Sequence, residues 1–215
     1  MNLVEAAVET IEAAQAAERA GTDRIELCVG LDDGGTTPHF ALIEAVVASV
    51  AIPVFVLIRP RVGDFVYAPL EIEAMCQQIA RAKAVGVHGV VTGALTADGR
   101  VEVEQMQTLI ESAGDLPVTF HRAFDLVVDA EDGLEQLVDL GVDRILTSGG
   151  APTALEGAEN LARLVEQSED RVAIVAGGGI REHNVREVVS RGGVHEVHTR
   201  FTEEARLRRL IDLAR

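Results

Sequence analysis

The amino-acid sequence predicts a (β/α)8 barrel. Three observations carry the prediction: eight short β-branched runs, eight intervening stretches of helical period, and a length of 215 residues. That length lies near the lower end for an eightfold barrel and leaves no surplus for a second domain, so residues 1–215 are expected to form one unit. Eight helices following eight strands favour closure over an open doubly wound sheet.

In chain order, a strand at 3–6 leads to a helix at 9–20 that stops at Gly21. A strand at 24–28 leads through Gly34, Gly35, Thr36, Thr37 and Pro38 to a helix at 40–50. The third and fourth pairs are 53–58 with 69–85, and 89–92 with 103–113, ending at Gly86 and Gly114. The fifth and sixth are 118–121 with 131–140, ending at Gly141, and 144–147 with 154–167. The last two are 173–176 with 182–191, ending at Gly192, and 195–198 with 203–214. The strands are nearly continuous apolar runs, as parallel strands covered by helices require. Each helix carries apolar residues three and four apart and so has a face to bury. The terminal glycines supply the left-handed residue that closes a helix. A Gly-Val or Gly-Thr step followed by Asp23, His88 or Asp143 precedes three of the strands, which is quasi-repetition of a βα unit.

Composition narrows the function. Hydrophobic residues are 47% of the chain and charged residues 25%, the balance of an ordinary soluble globule. The net charge is -16, from 35 acidic residues against 18 Arg and the single Lys83. Such an acidic surface is a halophile-type device that points to a salt-rich cytoplasm. A GC-rich genome would explain Arg over Lys but not the acidic excess. Nucleic acid and anionic membrane, both held by Lys and Arg, are excluded as main partners. No stretch approaches the roughly 20 apolar residues of a membrane span, and the start lacks a signal-peptide pattern, so a cytoplasmic location is expected.

Chemistry in such a barrel sits where the strands end. Period-two alternation turns Glu26 and Cys28 inward on the second strand, Arg59 on the third, Thr119 and His121 on the fifth, and Glu196 and His198 on the eighth. Glu26, Arg59, His121, Glu196 and His198 are the candidate catalytic set, with Glu26 and His121 for acid-base work, Arg59 for an anionic group and Glu196 to orient His198. The competing structural reading is a buried ion-pair network, Glu26 with Arg59 and Glu196 with His198. Arg61, Asp64, Arg122 and Asp125 are candidate substrate-binding residues on the adjoining loops. Gly177, Gly178 and Gly179, before a helix predicted to open near Arg181, offer bare amides to an anion such as phosphate. The usual companion glycines after the eighth strand are absent, so that signal is half present. Cys28 is either a soft metal ligand or a small buried hydrophobe, and Cys76 packs on a helix with Ile72, Met75 and Ile79. His39, His88, His183 and His195 fall in loops or at strand starts and receive no role.

Several motifs together resemble the CutC family. They are Asp23 to Cys28, Gly34 to Pro38, Ile58 to Phe65, Val118 to Asp125, Leu146 to Gly149, Ala154 to Gly157, Gly177 to Ile180 and Glu196 to His198, in order along nearly the whole chain. The resemblance implies a cytoplasmic (β/α)8 barrel, often a homodimer, linked to copper tolerance and proposed to bind Cu(I) through cysteines. Family members often carry a cysteine near the end of strand one, where this chain has Ala6, Ala7 and Val8. Only Cys28 of that thiolate pair is present, and Cu(I) prefers two or three soft ligands. Family members also tend to have a longer segment after the strand-eight Glu-x-His, so this pocket is expected to be more open or completed by a partner chain. The functional expectations are a copper-handling protein, or an enzyme acting on a small polar, phosphorylated or carbohydrate-like substrate. A scaffold without chemistry is the third.

Overall fold

The computed structural model describes residues 2–215. Eight parallel strands close into a barrel in sequence order. They are β1 (Leu3–Val8), β2 (Arg24–Leu27), β3 (Val54–Leu57), β4 (Gly89–Thr92), β5 (Val118–Phe120), β6 (Arg144–Thr147), β7 (Ala173–Ala176) and β8 (Glu196–Arg200). A helix follows each: α1 (Ile11–Ala20), α2 (Phe40–Ser49), α3 (Pro69–Ala84), α4 (Val103–Ala113), α5 (Ala130–Asp139), α6 (Ala158–Ser168), α7 (Val185–Gly192) and α8 (Glu204–Ala214). No helix among the described residues is long and apolar enough to cross a membrane.

Alternation divides the apolar residues into two cores. Ile25, Leu27, Val54, Val56, Ile58, Val118 and Phe120 face outward into the shell between strands and helices. Ala7, Cys28, Phe55, Leu57 and Val91 form a smaller cluster inside the barrel. Helix starts are capped locally, with Thr10 accepting from Ala13 N–H at 3.1 Å and Asp129 from Asp132 N–H at 3.1 Å.

The repeated helix-to-strand turn has a mechanical role. Asp23, just before β2, accepts the Val4 amide of β1 at 2.8 Å. His88, before β4, accepts the Val54 amide of β3 at 3.2 Å, and Asp143, before β6, accepts the Val118 amide of β5 at 2.7 Å. Each side chain thus brackets its own strand to the one before it at the amino-terminal rim. His88, assigned no role from sequence, is one of these brackets.

Some boundaries differ from expectation for identifiable reasons. β8 runs on to Arg200 and β1 to Val8, because the two pair from Leu3 opposite Glu196 to Ala7 opposite Arg200, and Val8 is held by Leu27 of β2. α6 starts at Ala158 rather than 154, after the chain passes Gly157, where a Cβ would sit 1.9 Å from the Ser148 carbonyl. α7 starts at Val185 rather than 182, because Asn184 Oδ1 accepts the Arg181 amide at 2.8 Å and its Nδ2 donates to Gly179 O at 2.9 Å. The left-handed residue after α7 is Gly193, not Gly192.

The lower half of the barrel interior is charged. Arg24 bonds Glu5 and, at 2.7 Å, Glu196, while Arg144 Nε lies 3.4 Å from the same Glu196 oxygen. Both guanidiniums lie over the Phe55 ring, at 4.9 and 5.3 Å from its centre. Gly89 gives that ring its room, since a Cβ there would come within 2.4 Å of it. Glu196 therefore belongs to this lower layer and not to the mouth. It starts β8, two residues below His198, and its partner is Arg24 rather than His198.

Candidate functional site

A cavity of about 400 Å³ opens at the carboxyl ends of the strands. Its floor holds Ala7, Glu26 and His198, and its walls include Leu57, Arg59, Phe65, His121 and Leu146. Gly178, Gly179, Arg122, Arg181 and Arg200 line it from the β5, β7 and β8 sides. Four guanidiniums and two carboxylates, Glu26 and Asp33, border the opening of a chain whose net charge is -16.

Three neighbouring strands, β8, β1 and β2, build the floor. His198 Nδ1 lies 2.7 Å from Glu5 Oε1 and 4.0 Å from Glu26 Oε2. Glu5 reaches both ways, its other oxygen bonding Arg24 beneath. Burial alone would raise the Glu5 carboxyl, but Arg24 and His198 outweigh it and hold it at about 2. Glu26 has no such partner. Burial pushes its carboxyl up to about 7, the attraction of His198 notwithstanding, with the negative charge of Glu5 adding to the rise. Its Oε2 is buried with no hydrogen-bond partner. Burial also works against a charged His198, yet the two carboxylates prevail and raise it.

The wall holds a second unsatisfied group. His121 follows β5 and caps the 3-10 turn Arg122–Leu126, its Nδ1 accepting the Ala123 amide at 3.3 Å. In the neutral ring that bond assigns the proton to Nε2, which is buried and unpartnered. Burial, then the charge of Arg59, drives His121 down to about 3, so it is neutral and a donor at physiological pH. Phe65 packs 4.7 Å from the imidazole and 4.8 Å from the Arg59 guanidinium. A side chain at Gly93 would meet the ring at 2.7 Å.

Arg59 is not paired with Glu26. Its guanidinium donates to Gly35 O and Gly63 O, each at 2.9 Å, and more weakly to Asp33 O at 3.4 Å, tying two loops together without a carboxylate partner. Arg61 and Asp64, expected to bind substrate, instead pair with each other at 2.9 Å on the exposed loop, and Arg61 also bonds Glu71 at 2.6 Å. Arg122 borders the cavity, held by Asp125 at 2.8 Å and Ser148 at 3.2 Å. Asp125 stands behind it, accepting from Thr147, the Ser148 amide and the Gly150 amide. Gly178 and Gly179 reach the cavity, whereas Gly177 packs against Leu146, its N–H donated to Thr147 O. The Arg181 amide is taken by Asn184, so the expected bare helix start is not there.

Cys28 faces the barrel interior as expected, but it is fully buried, with Sγ 3.9 Å from Val8 O. Burial, reinforced by Glu26, pushes its thiol up, so it stays protonated. Cys76 packs against the outer shell, leaving one protonated thiol where Cu(I) needs two or three soft donors. The residues present do not form a thiolate copper site.

Glu5, Arg24, Phe65 and Arg200 escaped the sequence reading as site residues. The alternation that turned Glu26 inward also marks Glu5, Arg24 and Arg200, and a charge inside an apolar strand was the available signal. Phe65 lies in a loop, where no periodicity points.

The CutC family model matches residues 2–203. The chain belongs to the CutC family. The human copper homeostasis protein cutC homolog is 48% identical over 196 residues, 91% of this chain and 72% of that protein. A CutC family protein of Xanthomonas axonopodis is 44% identical over 195 residues, 91% of this chain and 81% of the other. The crystal structure of CutC from Streptococcus agalactiae superposes with a TM-score of 0.89 at 34% identity, covering 94% of this chain and all of that one. A phosphoribosylanthranilate isomerase of Thermotoga maritima, at 13% identity and a TM-score of 0.66, shares the fold alone.

Proposed function

We propose that this CutC protein is an enzyme that binds a small, polar, anion-bearing molecule in the barrel mouth and transforms it at the Glu26 floor. The observation that carries this reading is the set of buried, unpartnered polar atoms Glu26 Oε2, Arg59 Nε and His121 Nε2, on residues bordering one cavity. Burying such groups costs free energy that packing alone does not recover, and the apolar walls around them favour a bound ligand. His121 Nε2–H donates to a substrate oxygen. Arg59 and Arg181, neither paired with a carboxylate, attract the anionic group, whereas Arg122 is already paired with Asp125 and Arg200 with Asp32 and Glu9. Glu5 takes the orienting part expected of Glu196, holding His198 by its Nδ1.

The test is a thermal-shift screen with inorganic phosphate, glucose 6-phosphate and ribose 5-phosphate, followed by proton NMR of each ligand that stabilises the protein. Stabilisation that disappears in Arg59→Met, and conversion that disappears in His121→Asn with the fold intact, are expected. An unchanged response in both variants overturns the reading. Copper handling is the second reading, supported by the relatives' names. Its test is a Cu(I) titration under reducing conditions beside Cys28→Ser, and weak binding insensitive to the substitution is expected.

A further inference from the structure

We infer that Glu5, Glu26 and His198 form a binding site for one divalent first-row transition cation, of the Zn2+ or Mn2+ class, at the floor of the cavity. One ligand atom from each of the three side chains can be chosen so that all lie within 4.8 Å of one another. The separations, 2.7 Å from His198 Nδ1 to Glu5 Oε1 and 4.0 Å to Glu26 Oε2, suit donors about 2.0–2.2 Å from a shared ion after small side-chain rotations. The independent sign of a ligand is Glu26, whose residue is only 5% exposed and whose Oε2 has no partner. The nearest positive group to this carboxylate is the His198 imidazole, 4.0 Å away and beyond hydrogen-bond reach, which leaves room for a cation between them, and neither nearby guanidinium supplies one. Arg24 is spent on Glu5 and Glu196, and Arg59 on loop carbonyls.

The donor chemistry selects the ion. Two carboxylate oxygens and an imidazole nitrogen suit divalent ions of intermediate hardness, while Cu(I) prefers the thiolates that this floor lacks. The three ligands come from adjacent strands, β8, β1 and β2, so their spacing is set by the sheet ladder and not by a loop. Glu5 is held from behind by Arg24, the kind of outer support that fixes a metal ligand. Ala7, above Glu5 on β1, is too small to close the floor, and Glu26 and His198 border the cavity, so an ion here keeps coordination positions open to a ligand. The inference rests on the proposed reading only in taking the floor as the reacting end. Glu26 then meets the substrate through the ion.

The experiment is titration of chelator-treated full-length protein with Mn2+, followed by electron paramagnetic resonance at about 1 M KCl, where exposed acidic clusters are screened, with Zn2+ as competitor. One Mn2+ per chain, displaced by Zn2+, is expected. Outer partners of a metal ligand are worth about 10–100-fold in affinity, so Glu26→Gln and His198→Gln should each cost at least about 100-fold, with Cys28→Ser and Arg59→Met unaffected. Should either ligand variant fail to fold, the wild-type protein still decides, because Mn2+ must broaden the His198 imidazole resonances before those of the surface His39. Equal Mn2+ affinity in wild type and Glu26→Gln, or broadening of His39 ahead of His198, overturns the inference. Loss of the Arg59-dependent phosphate response with Mn2+ binding intact would instead strike only the substrate reading.

Discussion

The two halves of the barrel interior treat charge in opposite ways. Below, Glu5 and Glu196 face Arg24 and Arg144 across the Phe55 ring, so two carboxylates meet two guanidiniums. Above, Glu26 and His121 keep polar atoms without partners beside an open cavity. Both halves are buried and polar, but in the lower one each carboxylate meets a guanidinium, even though Arg144 keeps two nitrogens without a hydrogen bond. The lesson is that buried polarity alone does not mark a functional site; unpartnered polar atoms that border an open cavity point to one.

Breaking the lower half should have the largest effect. Removing Arg24 leaves Glu5 and Glu196 buried without their shared partner, so Arg24→Ala should destabilise the fold by about 3–5 kcal/mol in urea unfolding. Gly89→Ala presses a methyl group onto the Phe55 ring, which two guanidiniums hold in place, and should cost about 1–3 kcal/mol by the same measurement. A loss as large from Glu26→Gln would erase the contrast between the halves.

The upper half should respond in pH rather than in bulk stability. The folded state keeps His121 neutral down to about 3, while the unfolded imidazole takes a proton near 6.5. Between these values the unfolded chain binds the extra proton. The stability linked to this group is therefore complete above about pH 6.5 and lost as pH falls toward 3. His121→Phe should flatten the acid limb of a plot of melting temperature against pH, and an unchanged slope would mean the ring is already charged in the fold. The smallest effect belongs to Glu26→Gln, expected to shift stability by less than about 1 kcal/mol because no hydrogen bond is lost.

Much of this was legible in the sequence. Period-two alternation placed Glu26, Cys28, Arg59, His121, Glu196 and His198 inside the barrel, where they are. It could not say which of them meet, because that depends on strand stagger. Glu26 stands opposite Phe55, so Arg59, four residues further on and past the end of β3, lies roughly 13 Å further along the strand direction at 3.3 Å per residue. Likewise His198 stands opposite Glu5, leaving Glu196 two residues below it, with the lower plug. The helix starts at 158 and 185 were hidden for another reason. They depend on a carbonyl brought close to Gly157 and on the side chain of Asn184, contacts that exist only once the loops have met.

The brackets from Asp23, His88 and Asp143 give the barrel a grain. Each fastens an even-numbered strand to the odd one before it, and among the described residues no equivalent side-chain clasp joins β2 to β3 or β4 to β5 at that rim. A wall built this way has seams. A new chain end placed between α2 and β3, or between α4 and β5, would leave every bracket intact, whereas one placed within a pair would strand an Asp or His from its amide. From β1 to β6 the ring thus behaves, at its lower edge, as three two-stranded staves whose joints show where the cylinder can be opened and reclosed.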